Sequence, residues 1–96
     1  MLTKAFLKNL ATKAQQLNPV VLTGIKGLTP QVHQEIDVAL KAHELIKVRL
    51  NAQDKEARQA MITEITEQHQ ATLVQAIGHV IVLYRPNEDI AKKPTL

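Results

Sequence analysis

Val20-Val21-Leu22-Thr23-Gly24-Ile25-Lys26-Gly27-Leu28-Thr29-Pro30-Gln31-Val32 is the stretch whose reading decides this fold. Its apolar opening, Val20-Val21-Leu22, suits a short buried strand. Its close looks like a helix start: the Thr29 hydroxyl can accept a hydrogen bond from an otherwise unpaired backbone N–H, and Pro30 fits the first helical position. Between them lies Gly24-Ile25-Lys26-Gly27, a G-x-x-G loop at a strand-to-helix junction. Glycine has no Cβ, so a phosphate chain can approach such a backbone closely, with the positive end of the helix dipole behind it. With Lys26 at its tip, the segment reads as a place to hold nucleic-acid backbone. Two glycines three apart also occur in plain turns, so the flanking sequence has to separate the two readings. A nucleotide-binding P-loop is excluded, because Gly27 is followed by Leu28-Thr29 instead of Lys-Ser/Thr, and a dinucleotide fingerprint lacks its third glycine.

Upstream, residues 3–17 read as a helix with Phe6, Leu10, Ala14 and Leu17 on one apolar face and Lys4 and Lys8 one turn apart on its flank. Asn18-Pro19 ends it, since a residue before proline avoids the helical region. The strand then runs from Val20 to Thr23. Downstream, a second helix from Pro30 to about His43 buries Val32, Ile36, Ala39 and Leu40. Glu44 to Leu50 alternates as a half-exposed strand does, with Ile46, Val48 and Leu50 on one face and Lys47 and Arg49 on the other. That second face is expected to be open to solvent and basic over part of its area. A third helix from Asp54 to about His69 buries Ala57, Met61, Ile62 and Ile65, its start favoured by Asp54 and Glu56. Thr72 to Ile77 and Val80 to Arg85 make two strands around a Gly78-His79 turn, and Pro86 stops the last one.

The predicted class is α+β, an α/β two-layer domain in the order α-β-α-β-α-β-β. Its four-stranded mixed sheet pairs in parallel early on, and the closing hairpin adds one antiparallel relation. Ninety-six residues suffice for one domain with a modest core, assigned to residues 1–86, with residues 87–96 read as a flexible basic tail. Lys4, Lys8 and Lys13 interrupt every apolar stretch near the start, so neither a signal peptide nor a membrane span is expected, and the protein is placed in the cytoplasm.

Charge is distributed unevenly. The net value of +3 conceals a first third with Lys4, Lys8, Lys13 and Lys26 and no acid before Glu35. From Glu35 to Asp89 the acids outnumber the bases, nine to six. A basic end of this kind is the footprint of a polyanion binder, although an exposed helix and loop also use lysine for solvation.

The chain has no serine and no cysteine, which removes the commonest nucleophiles, disulfides and thiolate metal sites. His33, His43, His69 and His79 lack the spacing of metal ligands, and neither Glu35 with Asp37 nor Asp54 with Glu56 makes an acid/base pair. No enzyme activity, metal, cofactor or small-molecule substrate is expected. With Phe6 and Tyr84 as the only aromatic residues, base stacking contributes little, and RNA contact through lysine, arginine and loop amides is the expected mode. The competing reading is a protein-interaction module that docks through the first helix, with Phe6, Leu7 and Leu10 as its contacts.

Four blocks in order, Leu17-Asn18-Pro19-Val20-Val21, Gly24-Ile25-Lys26-Gly27-Leu28-Thr29, His43-Glu44-Leu45-Ile46-Lys47-Val48, and Ile77-Gly78 with Val82-Leu83-Tyr84-Arg85, closely resemble the CRM domain (chloroplast RNA splicing and ribosome maturation) in its stand-alone bacterial YhbY form. The resemblance covers the chain up to Pro86. It implies a fold similar to the C-terminal domain of translation initiation factor three and binding to ribosomal RNA on precursors of the large (50S) subunit, in assembly and not in catalysis; apart from the resemblance, a monomer is expected. Carried over by position, the RNA-binding residues are Gly24, Ile25, Lys26 and Gly27, helped by Lys4, Lys8, Lys47, Arg49 and Arg85. Bacterial relatives often have Asn where this chain has Lys26 and a basic residue where it has His79.

Overall fold

Thr3 opens the first helix by accepting a hydrogen bond from the Phe6 N–H at 3.1 Å, and α1 runs Lys4–Ala14 in a computed structural model that describes residues 3–86. The expected basic tail, residues 87–96, lies outside the described residues. α1 ends sooner than its apolar spacing suggests. Gln15, Gln16 and Leu17 donate to the carbonyls three residues back, tightening the chain into turns ahead of Asn18-Pro19, so Leu17 leaves the buried stripe and is exposed.

β1 (Pro19–Leu22) follows, then α2 (Pro30–His43), β2 (Leu45–Arg49), α3 (Lys55–His69), β3 (Thr72–Ile77) and β4 (Val80–Tyr84). The predicted element order therefore holds, with boundaries shifted by a residue or so except at the end of α1, which comes three residues early. Asp54 caps α3, its carboxylate accepting from the Ala57 N–H at 2.7 Å. Gly78, with φ 57°, makes the two-residue turn between β3 and β4.

The sheet order is β1-β2-β4-β3, with β1 parallel to β2 and β4 antiparallel to both its neighbours. The last strand therefore inserts between β2 and β3 and creates two antiparallel pairings where one was expected. Composition explains the insertion: Ile81, Val82 and Leu83 are apolar on both faces and are 0%, 3% and 0% exposed, which only a central strand allows. β1 takes an edge, where Pro19 costs no ladder bond.

On one face, Ile36 and Leu40 of α2 and Ile62 and Ile65 of α3 pack against Val21, Ile46, Val48, Ile81 and Leu83. On the other, α1 lies against β2 and β3, burying Leu10 and Ala14. The layers are thus helix, sheet and helices, three where the sequence reading had two. The same packing corrects the expected open basic face. Val82 pairs with Lys47 and Tyr84 with Leu45 on the side that α1 covers; Lys47 is half-buried there, and Arg49 alone of the two cations stands exposed.

Candidate nucleic-acid interface

The G-x-x-G loop is rooted in the protein and bare at its tip. Thr23, at its base, is buried; its N–H donates to the Arg49 carbonyl at 3.0 Å and its hydroxyl accepts from the Asn51 N–H at 2.7 Å. The turn closes through the Gly27 N–H to the Gly24 carbonyl at 3.0 Å. Neither Ile25 nor Lys26 has positive φ, so this i to i+3 bond closes a turn of the type I class. Gly27, at φ 72°, then reverses the chain in a conformation that favours glycine. The Thr29 N–H donates to the Gly27 carbonyl, and the Thr29 hydroxyl caps α2 through the Val32 N–H at 3.2 Å. No acid sits in the first turn of α2 to neutralise its positive end.

A Cβ added at Gly24 would meet nothing within 4 Å, and Gly24 is not in the left-handed region. The fold therefore does not itself require glycine at this position. The missing side chain instead leaves the backbone open from outside, the condition for close contact with a phosphate chain.

The loop shares its end of the sheet with a second turn. Thr23 bonds to Arg49, and the next residue, Leu50, donates its N–H to the His79 carbonyl at 2.7 Å, so both turns hang on consecutive residues at the end of β2. Arg58 of α3 donates to the Gly78 carbonyl at 2.7 Å and holds the hairpin from below. Arg58 carries no local signal of this role, because its partner lies twenty residues on; Asn51 was likewise missed.

The predicted site residues divide into groups. Gly24, Ile25 and Lys26 are exposed, Gly27 is half-buried, and Arg49 joins them at the loop end, while Lys47 lies two residues back, beside α1. Lys4 and Lys8 are exposed on α1, whose Phe6 ring meets Tyr84 edge-on at 5.6 Å. Tyr84 pairs with Leu45 at the start of β2, so these lysines belong near the opposite end, about 13 Å of strand from Arg49. Among the described residues none of Lys4, Lys8, Lys26, Lys47 and Arg49 forms an ion pair.

Arg85 is differently placed. Its guanidinium bonds to the Asp37 carboxylate at 3.0 Å, the Asp37 carbonyl at 3.3 Å and the His69 carbonyl at 3.1 Å, joining the ends of β4 and α3 to α2. This geometry gives it an internal bracing role and removes it from the exposed basic surface. Burial works against the Asp37 charge, but hydrogen bonds and attraction from Lys41 and Arg85 outweigh it and hold the carboxyl below its ordinary range.

Beside this brace, His33 and His69, separated in sequence, come together. Their rings stack, with His33 Nδ1 2.9 Å from His69 Nε2, and His33 Nε2 lies 2.6 Å from Glu64. Sequence spacing could not reveal this pair, because the crossing of α2 and α3 creates it. Burial first, then the positive charges of His33 and Arg85, push the His69 pKa down, against an opposing pull from Asp37. Among the described residues no group of three or more His, Asp or Glu could hold a metal ion.

The family model of the CRS1 / YhbY (CRM) domain matches residues 2–85. A Haemophilus influenzae protein named RNA-binding protein is 50% identical over 90% of this chain and 84% of its own length. The probable RNA-binding protein YqeI of Bacillus subtilis is 33% identical, covering 93% of each chain. The solution structure of a Staphylococcus aureus protein, described as a candidate for RNA binding, superposes with a TM-score of 0.78 at 30% identity over 90% of each chain. A family model matching residues 2–85, relatives at 33–50% identity and a shared fold agree: the chain belongs to the CRS1/YhbY (CRM) domain family.

Proposed function

We propose that this protein is a non-enzymatic RNA-binding factor that associates with ribosomal RNA on precursors of the large (50S) ribosomal subunit and acts in their assembly, as a cytoplasmic monomer. The observation that carries the reading is the bare, exposed G-x-x-G loop beside Lys26 and Arg49, two cations without a carboxylate partner among the described residues. Loop backbone and cations recognise phosphate; they do not read base sequence, so binding would follow RNA shape and weaken with salt. The names of the relatives support an RNA partner. The chain's lack of serine and cysteine supports a role without catalysis.

Docking on a protein through α1 has less support, because Leu10 and Ala14 are already spent closing the sheet face and Phe6 rests on Tyr84. Sedimentation of a cell lysate at low salt tests the preferred reading. The protein is expected in fractions containing large-subunit precursors and should leave them as salt rises. Its absence from every ribosomal fraction would count against assembly, and salt-indifferent capture by a protein partner would favour the α1 reading.

A further inference from the structure

Ile25 is 97% exposed at the tip of a loop that is otherwise glycine and lysine. Among the large apolar side chains of the described residues, it stands apart from the next most exposed, Ile77 at 65% and Leu22 at 61%. The turn does not need it. Isoleucine is not a turn-forming residue, its φ is unremarkable, and the closing hydrogen bond uses the backbone of Gly24 and Gly27. A well-rooted turn thus holds an apolar side chain out into water beside Lys26 and two bare glycines.

Resting on the RNA reading above, we propose that Ile25 is a wedge that packs on the face of an unpaired base or ribose, so that the preferred ligand is RNA with a bulged or looped nucleotide next to a helix. A paired A-form helix offers stacked bases, phosphates and 2′-hydroxyls. Ile25, which has no polar atom in its side chain, gains nothing from these. A nucleotide turned out of its stack offers an apolar face, and its flanking phosphates fall where Lys26, Arg49 and the loop backbone can take them. Charge complementarity therefore selects RNA as the occupant, and the apolar tip selects its unpaired part. Apolar side chains are placed against unstacked bases in the same physical sense by minor-groove proteins.

The test measures binding at one fixed salt concentration to two RNA hairpins that differ by a two-nucleotide bulge, using the wild type, Ile25→Ala and Lys26→Ala. Circular dichroism melts check that each variant is folded. The wild type is expected to favour the bulged hairpin about tenfold, equivalent to about 1.4 kcal/mol. Ile25→Ala should lose that preference yet keep its affinity for the paired hairpin, and Lys26→Ala should weaken both equally. Equal, salt-sensitive binding of both hairpins by the wild type overturns the wedge and leaves the RNA reading intact. So does an Ile25→Ala variant that keeps the preference or loses affinity for both hairpins alike. Binding to neither hairpin by the wild type overturns both.

Discussion

Two regions of this molecule that each carry an arginine are organised in opposite ways. In the seam between α2 and α3, Arg85 meets Asp37 and two backbone carbonyls, and His33 lies between His69 and Glu64, so each charged or polar group has a partner inside the protein. At the loop end of the sheet, Lys26 and Arg49 have no ion pair among the described residues, and the backbone at Gly24 is open to solvent. The first arrangement stabilises the fold, and the second leaves charge available to a ligand. A count of arginines cannot tell Arg85 from Arg49, because each contributes the same formal charge.

The sharpest way to break this comparison is Gly24→Asp. A Cβ there meets open space, so the melting temperature should hold, while a carboxylate about 4 Å from a bound phosphate should cost about 2 kcal/mol, roughly a thirtyfold loss of RNA affinity by filter binding. Unchanged affinity in a folded variant would show that the loop is not the clamp. Arg85→Ala should do the converse. Loss of the brace between α2, α3 and β4 is expected to lower stability by about 1–2 kcal/mol in urea unfolding, with RNA affinity unchanged at temperatures where the variant is folded. A selective loss of affinity would return Arg85 to the binding surface.

A finer test compares Lys26→Ala and Arg49→Ala. Each should cost about 1 kcal/mol of RNA affinity, reduce the slope of log K against log salt by about one, and leave the melt unchanged. The smallest effect concerns the seam and pH. His69 has a lowered pKa in the folded protein, so the unfolded chain binds its proton more readily. Its contribution to stability is present above the ordinary value of 6.5 and is lost as pH falls through the lower folded value. The corresponding loss for Asp37 comes only below its ordinary 3.8, as pH falls through its own lowered value. Urea midpoints measured between pH 8 and pH 5 should therefore fall with acidity in the wild type and fall less in His69→Gln. Parallel curves would remove His69 from this role.

Much of this arrangement was legible in the chain. Thr29-Pro30 marked the start of α2, Asp54 with Glu56 the start of α3 and Gly78-His79 the hairpin turn, because helix starts and turns depend on residues within a few positions of each other. The apolar spacing of Ile36 with Leu40 and of Ile62 with Ile65 identified the buried sides of two helices. α1 was less readable. Phe6 and Leu17 continue the periodicity of Leu10 and Ala14, but Phe6 stays exposed with its ring edge-on to Tyr84, and the helix gives way to turns after Ala14, leaving Leu17 outside. Arg85 was placed among the RNA-binding residues by its position in a family motif, and its brace to Asp37 was illegible because that partner lies 48 positions away.

By itself the sequence determined the elements, their caps and the loop chemistry, since these rest on torsional preference, hydrogen bonding between near neighbours and the absence of a side chain at Gly24 and Gly27. Tertiary structure alone decided that β4 enters the middle of the sheet, that α1 covers the face carrying Lys47, and that Arg49 binds Thr23 and Leu50 binds His79 so that the two turns share one end of the sheet. It also decided which cations are consumed internally and which remain open. The reason is physical: burial and ion pairing depend on distances through space, and residues far apart in the chain acquire those distances only when the core of β2, β4, α2 and α3 closes.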